Sequence, residues 1–289
     1  MAADIETFES QRQRLTRLAY RMLGSVAEAE DVVQDAWLRW NRTDEEVRDA
    51  AGWLVRVTSR LCIDRLRSAK VQREAYRGPW LPEPLIEELS VDPVERAEDV
   101  SVAFLLALER LSPLERAVFL LHDVFDEDYA SVAETLGRNE AAVRQLAARA
   151  RTHVRDSRPR FTVSEAEAAK LAAAFMAAAA QGDMKALSAV LAEDAVLISD
   201  GGGKRSAALR PMSGREDIIR LLEGLAWRAG GSPLWPVSFR AVRINGYPGV
   251  IMDEGDGPMT VAFQPGEGGK LAAVYLVRNP DKLGRLPPA

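Results

Sequence analysis

The chain has 289 residues, enough for about two or three domains, and its apolar content of 47% is typical of a globular protein. Its single cysteine, Cys62, excludes an intramolecular disulfide and a cysteine-based metal site, and its two histidines are too far apart in sequence for a metal motif. The N-terminus lacks the apolar core of a signal peptide, and the longest apolar run, residues 171–180, is too short to span a membrane. We therefore expect a cytoplasmic protein with no membrane contact, no metal and no cofactor.

Charge is distributed unevenly along the chain. The net charge is −5, but the windows Arg56–Arg77 and Arg138–Arg160 each carry seven Lys and Arg residues against two acidic ones. Arginine has a planar fork of donors that suits phosphate groups and guanine edges. The two windows therefore indicate two separate DNA contacts with acidic surface between them.

Three helices are predicted in the first domain, residues 5–70. Apolar residues recur at helical spacing over 5–23, 27–40 and 50–70, and a polar loop precedes the third helix. The second helix begins with acidic residues, as the helix dipole favours. On this helix we expect Trp40 in the core and Trp37 partly exposed, although both residues could lie in the core.

The segment 71–93 breaks the helical pattern and is predicted to be a linker. Its motif GPWLPEPL, residues 78–85, contains three prolines, which exclude a helix. Trp80, Leu81 and Pro82 form an apolar strip that we expect to dock on another part of the chain. The alternative is a simple spacer with one exposed tryptophan.

The second helical domain, residues 94–157, contains a helix-turn-helix pattern. Helices are predicted at 93–111, 113–121 and 129–136, with a fourth from residue 140. Gly137 suits the left-handed end of the third helix, and Asn139 can cap the fourth. The fourth helix should bury four residues, Ala142, Val143, Leu146 and Ala150. A helix-turn-helix places this helix in the DNA major groove; the alternative is a helical hairpin with a solvated basic face.

The third domain, residues 161–289, combines helices with strands. Helices are predicted at 165–180 and 184–191, and apolar residues then alternate with period two at 195–199, 237–244, 249–254, 258–264 and 270–277. Helices followed by antiparallel strands define an α+β domain. A curved sheet wrapped by helices commonly encloses a cavity, so a small-molecule ligand is possible there.

Two segments resemble the extracytoplasmic-function sigma factors of the sigma-70 family. The likeness to their region 2 rests on RLAYRMLGSVAEAEDVVQDAWLRW, residues 17–40, and the likeness to region 4 on LSPLERAVFLLHDVFDEDYASVAETLGRNEAAVRQLAARAR, residues 111–151. The C-terminal part resembles SnoaL-like domains of the NTF2-like, cone-shaped fold. GPWLPEPL, DGGGK at 200–204 and NPDKL at 279–283 are similar to motifs of the subgroup with a fused SnoaL-like extension, the sigma-J type.

This resemblance implies two all-α sigma domains, a region 2 bundle and a region 4 helix-turn-helix, followed by an α+β NTF2-like cone. It implies a protein that binds the β′ and β subunits of core RNA polymerase and directs the enzyme to promoter DNA. Region 2 would recognise and melt the −10 element, and region 4 would read the −35 element. The SnoaL-like domain would regulate this activity in cis, and no separate anti-sigma factor is expected.

The candidate site residues form four sets. Contacts to the −35 element are expected from Arg138, Asn139, Arg144, Gln145, Arg149 and Arg151, since Arg and Gln pair with guanine and adenine edges. Contacts to the −10 element are expected from Arg56, Arg60, Arg65 and Arg67. The resemblance implies polymerase binding by Asp31, Gln34, Asp35 and Trp37. Interdomain regulatory contacts are expected from Trp80, Leu81, Pro82, Asp200, Gly201, Gly202, Gly203, Lys204, Asn279, Pro280 and Asp281.

Two other readings of the chain remain open at this point. The first is an enzyme of cyclase or isomerase type with a helix-turn-helix as its sensor; both histidines precede the third domain, and its carboxylates Asp194, Asp200, Asp217 and Asp253 show no informative spacing. The second is a ligand-sensing regulator that does not bind polymerase. DGGGK itself is not a phosphate-binding P-loop, because Ile198 and Arg205 stand where that motif needs Gly and Ser or Thr.

Overall fold

A computed structural model describes residues 5–43, 47–74, 76–87, 101–154, 163–228, 239–253 and 255–286. The chain folds as two compact units. A helical unit contains the described residues up to 74 together with 103–154, and a sheet unit contains residues 76–87, 101, 102 and 163–286. The predicted domain boundaries at 93/94 and between 157 and 161 lie outside the described residues.

The helical unit begins with α1 (Ile5–Leu23), α2 (Val26–Asn41) and α3 (Ala50–Glu74). Ser25 caps α2, since its side chain accepts a hydrogen bond from the Glu28 amide at 3.2 Å. The apolar stripe predicted for α1 is buried, with Leu15 and Leu18 at most 1% exposed. Trp40 is buried and Trp37 is half-buried, as expected.

The same unit continues with α4 (Val102–Glu109), α5 (Pro113–Phe119), α6 (Tyr129–Leu136) and α7 (Glu140–Val154). Ser112 and Glu115 form a reciprocal capping box at the start of α5. A π-helical turn, Leu120–Val124, follows α5, so that Leu120 and Leu121, predicted as the end of an α-helix, belong to this turn. The predicted start of the first of these helices, near residue 93, lies outside the described residues.

The sheet unit contains the helices α8 (Glu165–Gln181), α9 (Met184–Val190) and α10 (Arg215–Arg228). Its described strands are β1 (Ile86–Glu87), β2 (Leu191–Asp200), β3 (Met212–Ser213), β4 (Arg240–Ile244), β5 (Tyr247–Asp253), β6 (Pro258–Pro265) and β7 (Leu271–Val277). They form one sheet in the order β1-β4-β5-β6-β7-β2-β3. The strands β4 to β7 are antiparallel as predicted, whereas β2 pairs with β7 in parallel.

The core of the sheet unit lies between the sheet and these helices. Phe175 of α8 and Phe263 of β6 are fully buried, and their ring centroids are 5.3 Å apart. Burying one such side chain stabilises the fold by roughly 1.5–3 kcal/mol. This core holds the end of β2 in place, and the motif DGGGK begins at that end. None of the described helices has the length and apolar character required to cross a bilayer.

Candidate functional site

The helix-turn-helix is formed by α6 and α7 and is fixed by three local devices. Asp128 caps α6 by accepting a hydrogen bond from the Ser131 amide at 2.7 Å. Gly137 ends α6 in the left-handed conformation with φ of 61°. The Asn139 carboxamide oxygen accepts from the Ala142 amide at 2.8 Å, so Asn139 acts as the N-cap of α7 as well as being a candidate DNA contact.

The buried face of α7 differs by part of a turn from the predicted one. Val143 and Ala150 are buried as expected, but Ala147 and Val154 complete the face. The predicted core residues Ala142 and Leu146 are only half-buried. The buried residues Val143, Ala147, Ala150 and Val154 are spaced by four, three and four positions, which places them on one stripe of a straight α-helix. Ala142 and Leu146 lie beside this stripe, so the prediction that they are buried was wrong.

The opposite face of α7 is basic and exposed. Arg138, Gln145 and Arg149 are exposed, and Arg144 has 61% of its side chain accessible. Arg144 pairs with Glu140 at 2.8 Å within the helix, an exposed contact that a nucleic acid can replace at little cost.

Arg144 bonds the half-exposed Glu140 and also lies 4.8 Å from the centre of the Tyr129 ring. Arg151 differs from it because the carboxylate that Arg151 bonds, Asp123, is only 17% exposed. Arg151 bonds Asp123 at 2.6 Å and the Tyr129 hydroxyl at 3.1 Å. The hydrogen bond to Asp123 raises the pKa of Arg151 further. Arg151 is therefore less available to DNA than Arg144.

The candidate −10 residues on α3 are paired with acidic or carbonyl groups in this conformation. Arg56 bonds Glu134 of α6 at 2.5 Å, and the Nε of Arg60 donates to the Thr135 carbonyl at 3.2 Å. Arg65 lies 3.3 Å from the Asp35 carboxylate and 3.6 Å from that of Asp31. The last of the set, Arg67, is exposed and lies 3.6 Å from Asp64.

The candidate polymerase-binding residues lie together on α2. Asp31 and Gln34 are exposed, and Asp35 is half-buried. Trp37 packs against Phe8 with a centroid distance of 4.9 Å, so only part of its ring faces solvent. The acidic residues Asp31 and Asp35 offer a polar surface beside Arg65, which links this set to the basic helix α3.

The structure brings the motifs GPWLPEPL, DGGGK and NPDKL into one cluster within the sheet unit, and we call this the motif cluster. At its centre, Asp200 is fully buried. Its carboxylate accepts hydrogen bonds from the Tyr76 hydroxyl at 2.6 Å, the Leu81 amide at 2.8 Å, the Gly202 amide at 2.9 Å and the Lys282 ammonium at 2.7 Å. A buried carboxylate is stable only with such a set of donors.

Lys282 completes the motif cluster on the other side of Asp200. Its ammonium group also donates to the Leu81 carbonyl at 2.5 Å and lies 4.4 Å from the centre of the Trp80 ring. Burial and the hydrogen bond to Asp200 raise the pKa of the Tyr76 hydroxyl, so this group remains a donor. Leu81 is fully buried. Its backbone N–H donates to Asp200 and its carbonyl accepts from Lys282, so both of its backbone polar groups are paired.

The three glycines of DGGGK are required by close approach of neighbouring groups. A Cβ at Gly201 would overlap the Arg205 carbonyl, and one at Gly202 would overlap the Asn279 side chain. Gly202 and Gly203 also have positive φ, 60° and 71°. A Cβ at Gly203 would lie 3.2 Å from the Arg77 Cβ, so the loop packs directly on the linker.

The outer part of the motif cluster is held by exposed and half-buried charges. Lys204 pairs with Asp281 at 2.6 Å, and both side chains are more than half exposed. Arg205 and Arg278 both bond Asp256 in the turn between β5 and β6. The hydrogen bond from Arg205 lowers the pKa of Asp256, although partial burial acts in the opposite direction.

The remaining candidate residues of this set lie on or beside the motif cluster. Pro82 is buried and half-buried Trp80 stacks on the Lys282 ammonium, while Pro280 is exposed. Asn279 is buried and donates to the Tyr76 hydroxyl at 2.9 Å.

Some residues of the motif cluster were missed by the sequence analysis. Lys282 lies inside the motif NPDKL, and its positive charge could have been proposed from the sequence as the partner of an acidic motif residue such as Asp200. Arg205 directly follows DGGGK. Tyr76 lies outside every motif, so nothing in its local sequence pointed to a contact with Asp200.

The linker is part of the sheet itself. Ile86 and Glu87 of β1 pair with Ile244 and Arg243 of β4. Leu85 and Asn245 add two bonds, since the Leu85 amide donates to the Asn245 side chain at 3.1 Å and the Asn245 amide donates to the Leu85 carbonyl at 2.9 Å. Of the segment 71–93 that was predicted as a linker, residues 71–74 instead continue α3, and Ile86–Glu87 form an edge strand of the C-terminal sheet rather than a spacer.

The candidate catalytic carboxylates do not converge. Asp200 is buried, whereas Asp194 and Asp253 are exposed and Asp217 is half-buried on α10. Asp253 accepts hydrogen bonds from the Gly255 and Gly257 amides and so shapes a turn. Within the part of the chain that the structure describes, no three His, Cys, Asp or Glu side chains are grouped as metal ligands.

Comparison with known proteins identifies relatives over the whole length. Residues 7–71 match the family model for sigma-70 region 2, and residues 101–154 match that for sigma-70 region 4. The chain is 39% identical to the ECF RNA polymerase sigma factor SigJ of Mycobacterium tuberculosis, over 97% of this chain and 93% of that protein. It is also 39% identical to a probable ECF RNA polymerase sigma factor, SigI, of the same species, over 64% of this chain and 65% of that protein. The crystal structure of Mycobacterium tuberculosis SigJ superimposes with a TM-score of 0.78 at 36% identity, covering 98% of this chain and 99% of that one.

Proposed function

The chain belongs to the extracytoplasmic-function family of RNA polymerase sigma factors and directs promoter-specific transcription initiation, and we propose that its C-terminal sheet domain controls this activity in cis. The part of the predicted fold class that consists of two helical sigma domains followed by a C-terminal domain of helices and a sheet is confirmed. The observation that carries the proposal is the motif cluster. It binds the segment that connects region 2 to region 4.

Chain connectivity gives the physical basis of this control. Residues 76–87 follow α3 of region 2 almost directly, and α4 of region 4 begins at residue 102. Because Asp200 and Lys282 hold Leu81, and β4 holds β1, the anchored part of the linker cannot extend freely. The sheet domain therefore shortens the part of the linker that can separate the two promoter-reading regions for as long as the motif cluster is closed.

Region 4 is proposed to read the −35 element through the exposed face of α7. This helix is the second helix of the helix-turn-helix, the one that enters the major groove. Four exposed side chains lie on this face or in the turn before it: Arg138, Arg144, Gln145 and Arg149. Arg144 and Gln145 are the side chains best suited to base edges, since Arg pairs with guanine and Gln with adenine. Asn139 and Arg151 are proposed to orient the helix and to contact phosphates at most.

Region 2 is proposed to contact the −10 element through α3 only after an exchange of partners. Arg56 and Arg60 are bonded to Glu134 and to the Thr135 carbonyl of α6 in the observed conformation. A DNA phosphate would have to replace Glu134 at Arg56. The Glu134→Gln variant should therefore bind a single-stranded −10 oligonucleotide more tightly than wild type in fluorescence anisotropy, and equal affinities would contradict this exchange.

Polymerase binding is proposed for the acidic face of α2, and catalysis is not proposed for the sheet domain. Family members are non-enzymatic initiation factors, and the buried Asp200 is fully engaged by its donors. We propose that this domain takes the place of a separate anti-sigma factor.

A run-off transcription experiment tests the proposal. Wild type, Asp200→Asn and Asp281→Asn would each be added to purified core RNA polymerase with a promoter template. Asp281→Asn is the matched control: Asp281 was also predicted to make a regulatory contact, but its pair with Lys204 is exposed and is expected to contribute little to holding the linker. All three should bind polymerase, and only Asp200→Asn should change transcript yield. Equal yields from the three proteins would refute control through the linker, and absence of polymerase binding by wild type would refute the initiation function.

A further inference from the structure

A cavity of about 350 Å³ lies in the sheet unit beside the motif cluster. One wall is the start of the linker, residues 77–79, and the other runs from the last residue of DGGGK through the segment that follows it, residues 204–209. The volume falls within the range of small-molecule sites, roughly 300–1,000 Å³. The two walls touch at Gly78, where a Cβ would lie 3.8 Å from the Leu209 Cα.

The lining of this cavity carries three cations, Arg77, Lys204 and Arg205, and no Asp or Glu is among the lining residues that the structure describes. Two of the three cations have carboxylate partners outside the lining, so Arg77 supplies the uncompensated charge. Arg77 is exposed, and it forms no ion pair with any of the residues that the structure describes. Lys204 has only an exposed partner, Asp281, which a better-placed anion can displace. Arg205 is committed to Asp256, so it adds to the local field without being free to move.

The other lining groups define the rest of the ligand. Ser199 and Ser206 add hydroxyl groups that can donate to an anion. Pro79, Ala208 and Leu209 form an apolar side, and Leu209 is 65% exposed. A guanidinium group and an ammonium group, with hydroxyl groups beside them, can donate several hydrogen bonds to a phosphate group. The apolar side of the cavity suits a small apolar moiety attached to that phosphate.

We propose that this cavity binds a small phosphate ester between Arg77 of the linker and Lys204 of the glycine loop. Such a ligand would bridge the two walls and tighten the contact of the linker with the motif cluster. Its regulatory consequence rests on the proposed control in cis, but binding itself does not. The site is therefore tested without polymerase or promoter.

The test is isothermal titration calorimetry on the full-length protein. Phenyl phosphate and inorganic phosphate are the probes, and phenol is the neutral counterpart. Phenyl phosphate should bind with one site per chain and phenol should not bind. Arg77→Gln and Lys204→Gln should each weaken phenyl phosphate binding about tenfold, since each removes one charge-assisted contact. The matched controls Arg210→Gln and Lys185→Gln remove exposed cations that lie outside the cavity and should bind like wild type.

Three results would overturn the proposal. Phenyl phosphate could fail to bind, it could bind equally to all four variants, or phenol could bind as well as phenyl phosphate. A single-stranded oligonucleotide serves as a further arm: if it binds through Arg77 and Lys204 and phenyl phosphate does not compete, the cavity is a nucleic-acid contact. If phenyl phosphate binds but Asp200→Asn gives the same run-off transcript yield as wild type, control in cis is refuted. The proposed phosphate-ester site is then still supported.

Discussion

Replacing Asp200 by Asn should destabilise the motif cluster. The Asn side chain has nearly the same size and shape as Asp, so the change removes the negative charge and leaves the volume almost unchanged. Asp200 is fully buried, and the Lys282 side chain that it neutralises is only 12% exposed. Removing one partner of a buried ion pair costs about 3–5 kcal/mol, because the other charge stays behind in a medium of low dielectric constant. Asn also offers one acceptor oxygen where the carboxylate offers two, so either Tyr76 with the Gly202 amide or the Leu81 amide with Lys282 faces an N–H₂ group.

Amide hydrogen exchange at Leu81 measures this effect directly, because its N–H donates to Asp200. A cost of about 3–5 kcal/mol predicts a loss of protection by roughly 150- to 4,000-fold. Asp281→Asn breaks an ion pair of 2.6 Å whose side chains are 56% and 62% exposed, and should change the exchange rate less than about fivefold. A double variant, Asp200→Asn with Lys282→Met, should recover part of the lost protection. Protection of Leu81 within about threefold of wild type in Asp200→Asn would refute the reasoning.

Three further predictions concern other parts of the chain. Arg144→Ala should reduce discrimination between −35 sequences by about 1–3 kcal/mol in competition binding and leave polymerase affinity unchanged; loss of polymerase affinity would show that α7 is not the groove helix. Gly202→Ala should lower the melting temperature, because its Cβ would overlap Asn279 and its φ is +60°; an unchanged melting curve would contradict the observed packing. Asp256, whose pKa is lowered by Arg205, contributes stability that is present at neutral pH and is lost as pH falls below about 4. In Asp256→Asn the free energy of unfolding should therefore decrease less steeply with falling pH in this range than in wild type. An equally steep decrease in both proteins would contradict a stabilising role for this ion pair.

Local signals made the helical part predictable. Capping residues and Gly137 determine the bounds of α5 and α6 within a few residues of the chain, so the helix-turn-helix follows from neighbours in sequence. The π-helical turn after α5 was not predicted, because the same apolar residues are compatible with an α-helix. The buried face of α7 was placed wrongly by a fraction of a turn, since Ala147 is a weaker apolar signal than Leu146.

Long-range contacts limited what could be predicted for the sheet unit. The strand β1 has two residues after a proline-rich run, and only its partner β4 makes it a strand. The parallel pairing of β2 with β7 depends likewise on the whole sheet. For the motif cluster, DGGGK and NPDKL indicated contacts, but the role of Lys282 as counter-charge to Asp200 required their positions in space. The roles of the promoter-reading and polymerase-binding residues remain predictions.

The position of the linker within the sheet has a consequence for protein synthesis. Leu81 bonds a residue 119 positions later in the chain, and Leu85 bonds one 160 positions later. At about 5–20 residues per second, the ribosome needs roughly 10–30 s to make the partner of Leu85 after Leu85 itself. During that interval region 2 is complete while Leu81 and Pro82, buried in the finished protein, have nothing to cover them. A nascent chain would thus present an uncovered apolar segment next to a folded region 2, and premature termination after region 4 would make that state permanent.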